Sequence, residues 1–496
     1  MSKLQQFANQ NPFLSALILG TVCVFGFAPF YFFAIPIFAL AGLFYLWQKA
    51  ENAKSAAKLG FVFGMAYFIA GIHWIYISLH DIGGMPFWMA GFATLCLCAF
   101  LALFPAFVAY LSKRSRCVLM TAPLLWVISE WVRNWIFTGF PWLAVGYSQA
   151  PSSPLASIAP IAGVFGVSVA VTLSASLILL AFQSNYKRQA LITLVILYSI
   201  SGGLNLIQWS KPKGEPISVS ILQGNIPQDI KWTQEVIIQT IRQYAEMASQ
   251  SPNTLIILPE TALPVAIDTS EAEVRKNAIL EPFITLASNH QKSILVGTVE
   301  AEQGQYFNSM LGINEVHIQA YRKSHLVPFG EFIPLKSLIG WIYRDWLNMP
   351  LNDLSRGSKT QKPMHLLGQK IALNICYEDV FGEEIIRQLP EASILVNASN
   401  DAWYGHSIAA HQHLQFSQMR ALETGRMMLR ATNTGATAII SQRGEVLATL
   451  PHFTTAILNG SVQGYEGTTP YVRWGNWLII SLLFIALILL WGRKKK

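Results

Sequence analysis

Eight stretches of the chain, near residues 12–28, 30–48, 59–79, 86–111, 118–136, 157–182, 190–208 and 474–492, are apolar over lengths that suit a membrane span. A helix needs roughly 17–25 such residues to cross a bilayer. The first two are separated only by Ala28-Pro29, so a hairpin that crosses and returns is expected there. The whole chain is 52% hydrophobic and only 12% charged, about half the charged fraction of a soluble protein. Residues 210–472 alone have ordinary soluble composition. The expected fold is therefore a polytopic α-helical membrane domain of about seven helices over 1–209, a large water-soluble domain over 210–472, and a last transmembrane helix with a basic tail over 473–496.

Short loops set the orientation, because Lys and Arg accumulate on the cytoplasmic side. Lys49, Lys54 and Lys58 occupy one loop; Lys113, Arg114 and Arg116 another; Lys187 and Arg188 a third; and "RKKK" (493–496) ends the chain. These alternate with loops lacking both residues. Eight spans put all four basic segments, and the C-terminus, in the cytoplasm, which leaves residues 210–472 outside it. The net charge of +8 is largely this bias and does not indicate nucleic-acid binding. The first stretch has one preceding lysine and no small-residue cleavage site, so it is read as retained.

Cys23, Cys96, Cys98 and Cys117 lie in or beside the apolar stretches, where a small apolar residue is the simple reading. Cys376 is alone in the soluble domain and sits directly before Tyr377, Glu378 and Asp379. No disulfide framework is expected. An unpaired thiol outside the cytoplasm is a liability, so its presence needs a reason.

The soluble domain alternates β-rich runs with helical patterns. "ISVSILQGNI", "TLIILPE", "SILVGT", "NSMLGI", "IALNIC", "SILVNASND" and "ATAIISQRGEV" are the strand candidates, several apolar throughout, as strands buried on both faces are. Helices are expected over 233–250, 270–289 and 409–430, the last carrying Arg420, Glu423, Arg426 and Arg430 at helical spacing. Alternation of this kind implies α/β layers. Glu260, Cys376 and the group Asn397, Asn400 and Asp401 fall at C-terminal strand ends, the edge where such folds build sites.

A thiol is reactive as the thiolate and needs a base or a cation beside it. A carboxylate such as Glu260 can take the thiol proton in a poorly solvated pocket. A lysine such as Lys323 can stabilise the oxyanion that forms when the thiol attacks a carbonyl. That set suits acyl transfer through a thioester, but the three residues are too far apart to form a local motif. Taken singly, each also has an ordinary reading as packing, turn or surface.

"ILPETALP" (257–264), "YRKSHLVPFGEFIP" (321–334) and "NICYEDVFGE" (374–383) resemble the three Glu, Lys and Cys blocks of the nitrilase, or carbon–nitrogen hydrolase, superfamily. With "QGNIPQDIKW" (223–232), "NASNDAWYG" (397–405) and "RATNTGATAIIS" (430–441), and with the apolar stretches on either side, the whole chain resembles the apolipoprotein N-acyltransferase family of bacterial envelopes. The resemblance implies an αββα sandwich facing the periplasm from the inner membrane. It assigns Glu260 as general base, Lys323 as oxyanion stabiliser and Cys376 as nucleophile. Glu331 corresponds to a further acidic positioning residue, Trp232, Tyr377 and Glu378 to positions important for activity, and Asn308 to a site-proximal asparagine. The implied reaction is ping-pong. A phospholipid, typically phosphatidylethanolamine, acylates the cysteine, and the N-terminal amine of a diacylglyceryl-cysteine on an apolipoprotein then takes the acyl chain. No cofactor is implied, and a monomer suffices.

A membrane-tethered amidase, in which water resolves the thioester, is the alternative enzyme. A transporter would show paired charges along its spans, and only Glu130 and Arg133 lie near one. His406, His411 and His413 have spacings that suggest a metal, but zinc pairs are tighter and partnered by Cys or Glu, so no metal is assigned. Trp341 and Trp346, in "GWIYRDWLNMP", suit a segment dipping towards the bilayer, and Trp474, Trp477 and Trp491 suit interfacial anchors.

Overall fold

The computed structural model describes residues 3–492 except 116, 184–185, 271–272, 335 and 338–352. Trp341, Trp346 and the "RKKK" tail lie outside the described residues. The chain divides into two compact units, one drawn from residues 1–76, 86–208 and 469–496, the other from 77–85 and 209–468.

The first unit is helical, with helices Pro12–Cys23, Ile35–Lys49, Ala53–Ile72, Phe87–Arg114, Val118–Arg133, Ala159–Gln183, Lys187–Leu204 and Trp477–Gly492. A helix thus stands at each apolar stretch. Among the described residues, three segments are long and apolar enough to cross a membrane, Ala53–Ile72, Phe87–Arg114 and Pro154–Phe182, and three shorter ones are apolar. The third helix starts earlier than its apolar run, because the Asn52 side chain accepts the Ser55 N–H at 2.9 Å and caps it at Ala53. Gly60 and Gly64 let this helix pack tightly on Phe87–Arg114: a Cβ on Gly60 would lie 2.5 Å from the Pro105 carbonyl oxygen. Glu130 is buried, and its carboxylate accepts from Trp126 Nε1, the Val145 N–H and Ser168 Oγ at 2.7–2.8 Å. The Arg133 guanidinium lies over the Phe68 ring, 5.1 Å from its centroid. Trp474 and Trp477 are exposed.

The second unit holds two mixed sheets. In chain order, β1 (Ile217–Gln223), β2 (Leu255–Ile257), β3 (Leu263–Asp268), β4 (Ser293–Glu302), β5 (Gln305–Ile313) and β6 (Ile318–Arg322) build the first. Then β7 (Met364–Leu366), β8 (Gln369–Ile375), β9 (Ile394–Ser399), β10 (Met428–Thr432), β11 (Ala438–Ile440) and β12 (Val446–Thr449) build the second, and β13 (Ala456–Val462) returns to pair with β1. The run "ATAIISQRGEV" is a hairpin of two strands rather than one.

Alternating side chains explain the layers. Ile217, Val219 and Ile221 on β1 join Ile371, Leu373 and Ile375 on β8 and Ile394 and Val396 on β9 in one core between the sheets. The opposite faces pack on helices: Ile256, Ile294 and Val296 against helices Gln234–Gln250 and Glu281–His290, and Leu395, Met428 and Ile440 against Ala409–Thr424. Strands covered on both faces must be apolar throughout, which is why their sequences lack a polar alternation.

Two helices are shorter than their sequence pattern. The helix expected over 270–289 is confined to Glu281–His290, after a short 3-10 turn at Val274–Lys276. The helix expected over 409–430 stops at Thr424, where Gly425 takes the left-handed conformation (φ 64°) that closes a helix C-terminus. Arg430 consequently stands on β10, not on a helix with Arg420 and Glu423.

Candidate active site

Strand direction brings the candidate residues to one edge. β2, β4 and β6 run the same way, since β4 pairs with β2 in parallel and antiparallel β5 intervenes before β6. Glu260 follows β2 and Lys323 follows β6. Cys376 follows β8, whose parallel register with β9 aligns Ile375 with Ala398 and so sets Ser399 beside Cys376.

Glu260 is buried. Its Oε1 accepts from Asn308 Nδ2 at 2.7 Å and lies 3.4 Å from Lys323 Nζ, and its Oε2 accepts the Asn400 N–H at 2.9 Å. The turn that carries it presses on Gly297 of β4, where a Cβ would meet the Pro259 carbonyl oxygen at 2.2 Å and Glu260 Cα at 2.8 Å. Only glycine leaves room there.

Lys323 is 1% exposed. Its ammonium donates to Glu331 Oε1 at 2.9 Å, and its main-chain N–H is held by the Asn308 carbonyl at 2.8 Å. Burial opposes the charge, but Glu331 and Glu260 outweigh it and hold the lysine above its ordinary pKa, as a cation. Asn308 spends its second amide proton on Glu331 Oε1 at 2.9 Å, so one neutral amide bridges two carboxylates.

Cys376 adopts a left-handed backbone, φ 53°. This is uncommon for any residue but glycine, and it persists only where the surroundings enforce it. Burial and the nearby Glu260 push the thiol pKa well above its usual value, while Lys323 and a hydrogen bond with Ser399 oppose them. The resting group is therefore a neutral thiol that feels the charge of Glu260.

Glu378 ties this turn to Lys323. Fully buried, it accepts from the N–H of Ile375 at 2.7 Å, the N–H and hydroxyl of Ser324 at 2.7 and 2.9 Å, the N–H of His325 at 3.1 Å and Tyr321 Oη at 2.9 Å. Burial raises its pKa against the pull of these donors. Tyr377 is buried and packs edge-on against Phe381, with ring centroids 5.1 Å apart.

The structure therefore gathers Glu260, Lys323, Cys376, Glu331, Asn308 and Glu378 into one connected group. Trp232 is 53% exposed on the loop before helix Gln234–Gln250. Its neighbour Lys231, which sequence reasoning missed, is buried and donates to Thr261 Oγ1 at 2.7 Å, next to Glu260. Burial lowers the Lys231 pKa to about 8 despite the attraction of Glu260. A lysine beside an aromatic in a loop carries no burial signal in sequence. The three histidines separate: His406 stacks on Phe453, His411 on His452, and His413 enters a buried ionic group.

Two mixed sheets packed back to back, with a thiol, a carboxylate and a lysine converging at their strand ends, define a carbon–nitrogen hydrolase domain, and the family described as carbon-nitrogen hydrolase matches residues 218–471. A second family, described as the apolipoprotein N-acyltransferase N-terminal domain, matches residues 19–177. Proteins named apolipoprotein N-acyltransferase are similar along the whole chain. That of Nitrosomonas europaea is 48% identical over 96% of both chains. That of Chromobacterium violaceum is 40% identical over 97% of this chain and 94% of its own. That of Neisseria meningitidis serogroup A is 38% identical over the full length of both. The chain belongs to the apolipoprotein N-acyltransferase family, and is an acyltransferase with an apolar helical region typical of a membrane protein.

Proposed function

We propose that the protein transfers a fatty acyl chain from a phospholipid, phosphatidylethanolamine being the expected donor, to the N-terminal amine of diacylglyceryl-cysteine on apolipoproteins. The observation that carries this reading is the convergence of Glu260, Lys323 and the left-handed Cys376 at strand ends of the two packed sheets.

In the first half-reaction Glu260 takes the thiol proton as Sγ attacks the ester carbonyl. The oxyanion is stabilised by the Lys323 ammonium, which Glu331 and Asn308 hold in place. Collapse of the adduct breaks the ester C–O bond, Glu260 returns the proton to the departing oxygen, and lysophospholipid leaves an S-acyl cysteine. In the second, the deprotonated amine attacks the thioester. Its surplus proton passes to Glu260 and then to the departing thiolate, giving the amide and the free thiol. Neither half changes an oxidation state, so no redox cofactor is required. Glu378 and Tyr377 support the turn at Cys376, and exposed Trp232 is suited to touch a lipid substrate.

The accompanying topology is eight spans in the bacterial inner membrane. Residues 1–209 and 473–496 form the membrane part, the catalytic domain 210–472 faces the periplasm, the C-terminus is cytoplasmic, and the unit is a monomer. The alternation of basic loops with loops lacking Lys and Arg supports it.

Intact mass of the purified protein, before and after a diacylated acceptor peptide is added, tests the reaction. A fatty-acyl increment on Cys376 that drains into N-acylated peptide is expected. Drainage into free fatty acid alone would instead identify an amidase-type hydrolase.

A further inference from the structure

Four charged side chains with no part in the steps above are buried around the turn that carries Cys376. Asp379 belongs to that turn, Asp401 follows β9, His413 lies on helix Ala409–Thr424 and Arg430 on β10, and none is more than 2% exposed. Arg430 donates to Asp379 Oδ2 at 3.0 Å and to Asp401 Oδ2 at 2.9 Å. His413 Nε2 lies 2.9 Å from Asp379 Oδ1, and Nδ1 lies 3.0 Å from Asp401 Oδ1. Each cation thus meets both anions, and the four close into a ring.

The ring reaches the nucleophile at two points. His413 Nε2 lies 3.2 Å from the main-chain carbonyl oxygen of Cys376, which also accepts from Asn397 Nδ2 at 3.1 Å. Ser399 Oγ donates to Asp401 Oδ1 at 2.8 Å and hydrogen-bonds the Cys376 thiol.

Both nitrogens of His413 face oxygen acceptors, and a neutral imidazole carries only one N–H. Only the imidazolium donates on both sides, and only with it do the two carboxylates meet two cations. The charged and titratable groups around His413 are Asp379 on the turn, Asp401 and Tyr404 after β9, and Arg430 on β10. Burial and Arg430 push its pKa down, Asp379 and Asp401 more than offset them, and it stands at about 9.

We propose that His413 is a positioning residue for the nucleophile: Asp379, Asp401 and Arg430 hold its imidazolium against the Cys376 carbonyl and so keep Cys376 in the left-handed conformation from which its thiol attacks. The proposal rests on Cys376 being the nucleophile. A buried ring of this kind is balanced only as a whole, so altering one member leaves an uncompensated charge. Altering an opposite pair together need not.

The test is the single-turnover rate of Cys376 acylation, followed by intact mass on the full chain in phosphatidylethanolamine mixed micelles, alongside thermal unfolding. His413→Leu is expected to slow acylation about 100-fold, as a displaced reacting group does, with donor KM unchanged. The double variant His413→Gln with Asp401→Asn removes one charge of each sign and keeps a donor for the Cys376 carbonyl. It is expected to recover at least about tenfold of that loss. If His413→Leu does not fold, the double variant carries the test, and acylation within about tenfold of the unaltered protein supports the proposal. Acylation per folded molecule unchanged by His413→Leu, or a folded double variant slowed as much as the single one, overturns it. Absence of any acyl increment on the unaltered protein would overturn the assignment of Cys376 instead, so the two failures are told apart.

Discussion

Lys323 Nζ is 2.9 Å from Glu331 Oε1 but 3.4 Å from Glu260 Oε1. The lysine is therefore neutralised mainly by Glu331, which leaves Glu260 the less tightly paired of the two carboxylates. Asn308 reinforces the division, with one amide proton on each carboxylate. Glu331→Gln is expected to lower the rate of Cys376 acylation about 100-fold by loosening the oxyanion cation. It should also lower stability by about 2–3 kcal/mol, because a buried ammonium loses a partner. Single-turnover acylation and thermal unfolding check both.

Glu378 accepts five hydrogen bonds, so graded losses are expected. Tyr321→Phe removes one donor and should cost about 1 kcal/mol with activity largely kept. Glu378→Ala strands the main-chain N–H groups of Ile375, Ser324 and His325, and should cost several-fold more and abolish acylation. If the two variants unfold at the same temperature, the assignment of Glu378 as the tie between the two loops is wrong.

At Gly297 a methyl group would press on the Glu260 turn. Gly297→Ala is expected to displace the base and slow acylation about 100-fold, with a stability cost of about 1–3 kcal/mol. A rate equal to that of the unaltered protein would mean that the turn yields freely.

Two buried groups give opposite pH dependence. His413 has a pKa of about 9 when folded against about 6.5 when unfolded, so the folded form binds the extra proton. Its contribution is complete below about pH 6.5 and lost as the pH rises through about 9. Lys231 titrates at about 8 when folded and about 10.4 when unfolded, so between those values the unfolded form holds more protons and rising pH favours folding. Thermal unfolding across this range should lose its falling component in His413→Gln and its rising one in Lys231→Met.

In the membrane-associated unit, Glu130 supplies the acceptor for the Val145 N–H. Glu130→Ala leaves that buried donor unmatched and should cost about 1–3 kcal/mol, read as a lower unfolding temperature in detergent. Glu130→Gln, which retains a carbonyl oxygen, should cost less.

Much of the layered fold was legible because each strand's burial on both faces writes itself as an uninterrupted apolar run, as in Leu255–Ile257 and Ile394–Val396. The helix at Ala409–Thr424 was overextended because Arg426 and Arg430 continue its spacing. Gly425 is a local stop signal that outweighs that periodicity. Glu260, Lys323 and Cys376 were legible as blocks, and their convergence was not, since it depends on strand order across two sheets. The ring around His413 left no trace, because its four members come from a turn, a strand end, a helix and a strand. His406, His411 and His413 are close in sequence, yet the helix and its preceding loop send the three rings to different partners.

Lys323 belongs to one sheet and Cys376 to the other, yet Glu378 pins the residues after Lys323 to the residue before Cys376. Between them in sequence, the Leu354 N–H also bonds the Glu331 carbonyl at 2.9 Å. The spacing of Lys323 and Cys376 is thus set by the cross-link that Glu378 makes and not by the number of residues between them in sequence. Length variation among relatives is therefore expected to concentrate between Ile333 and Leu354.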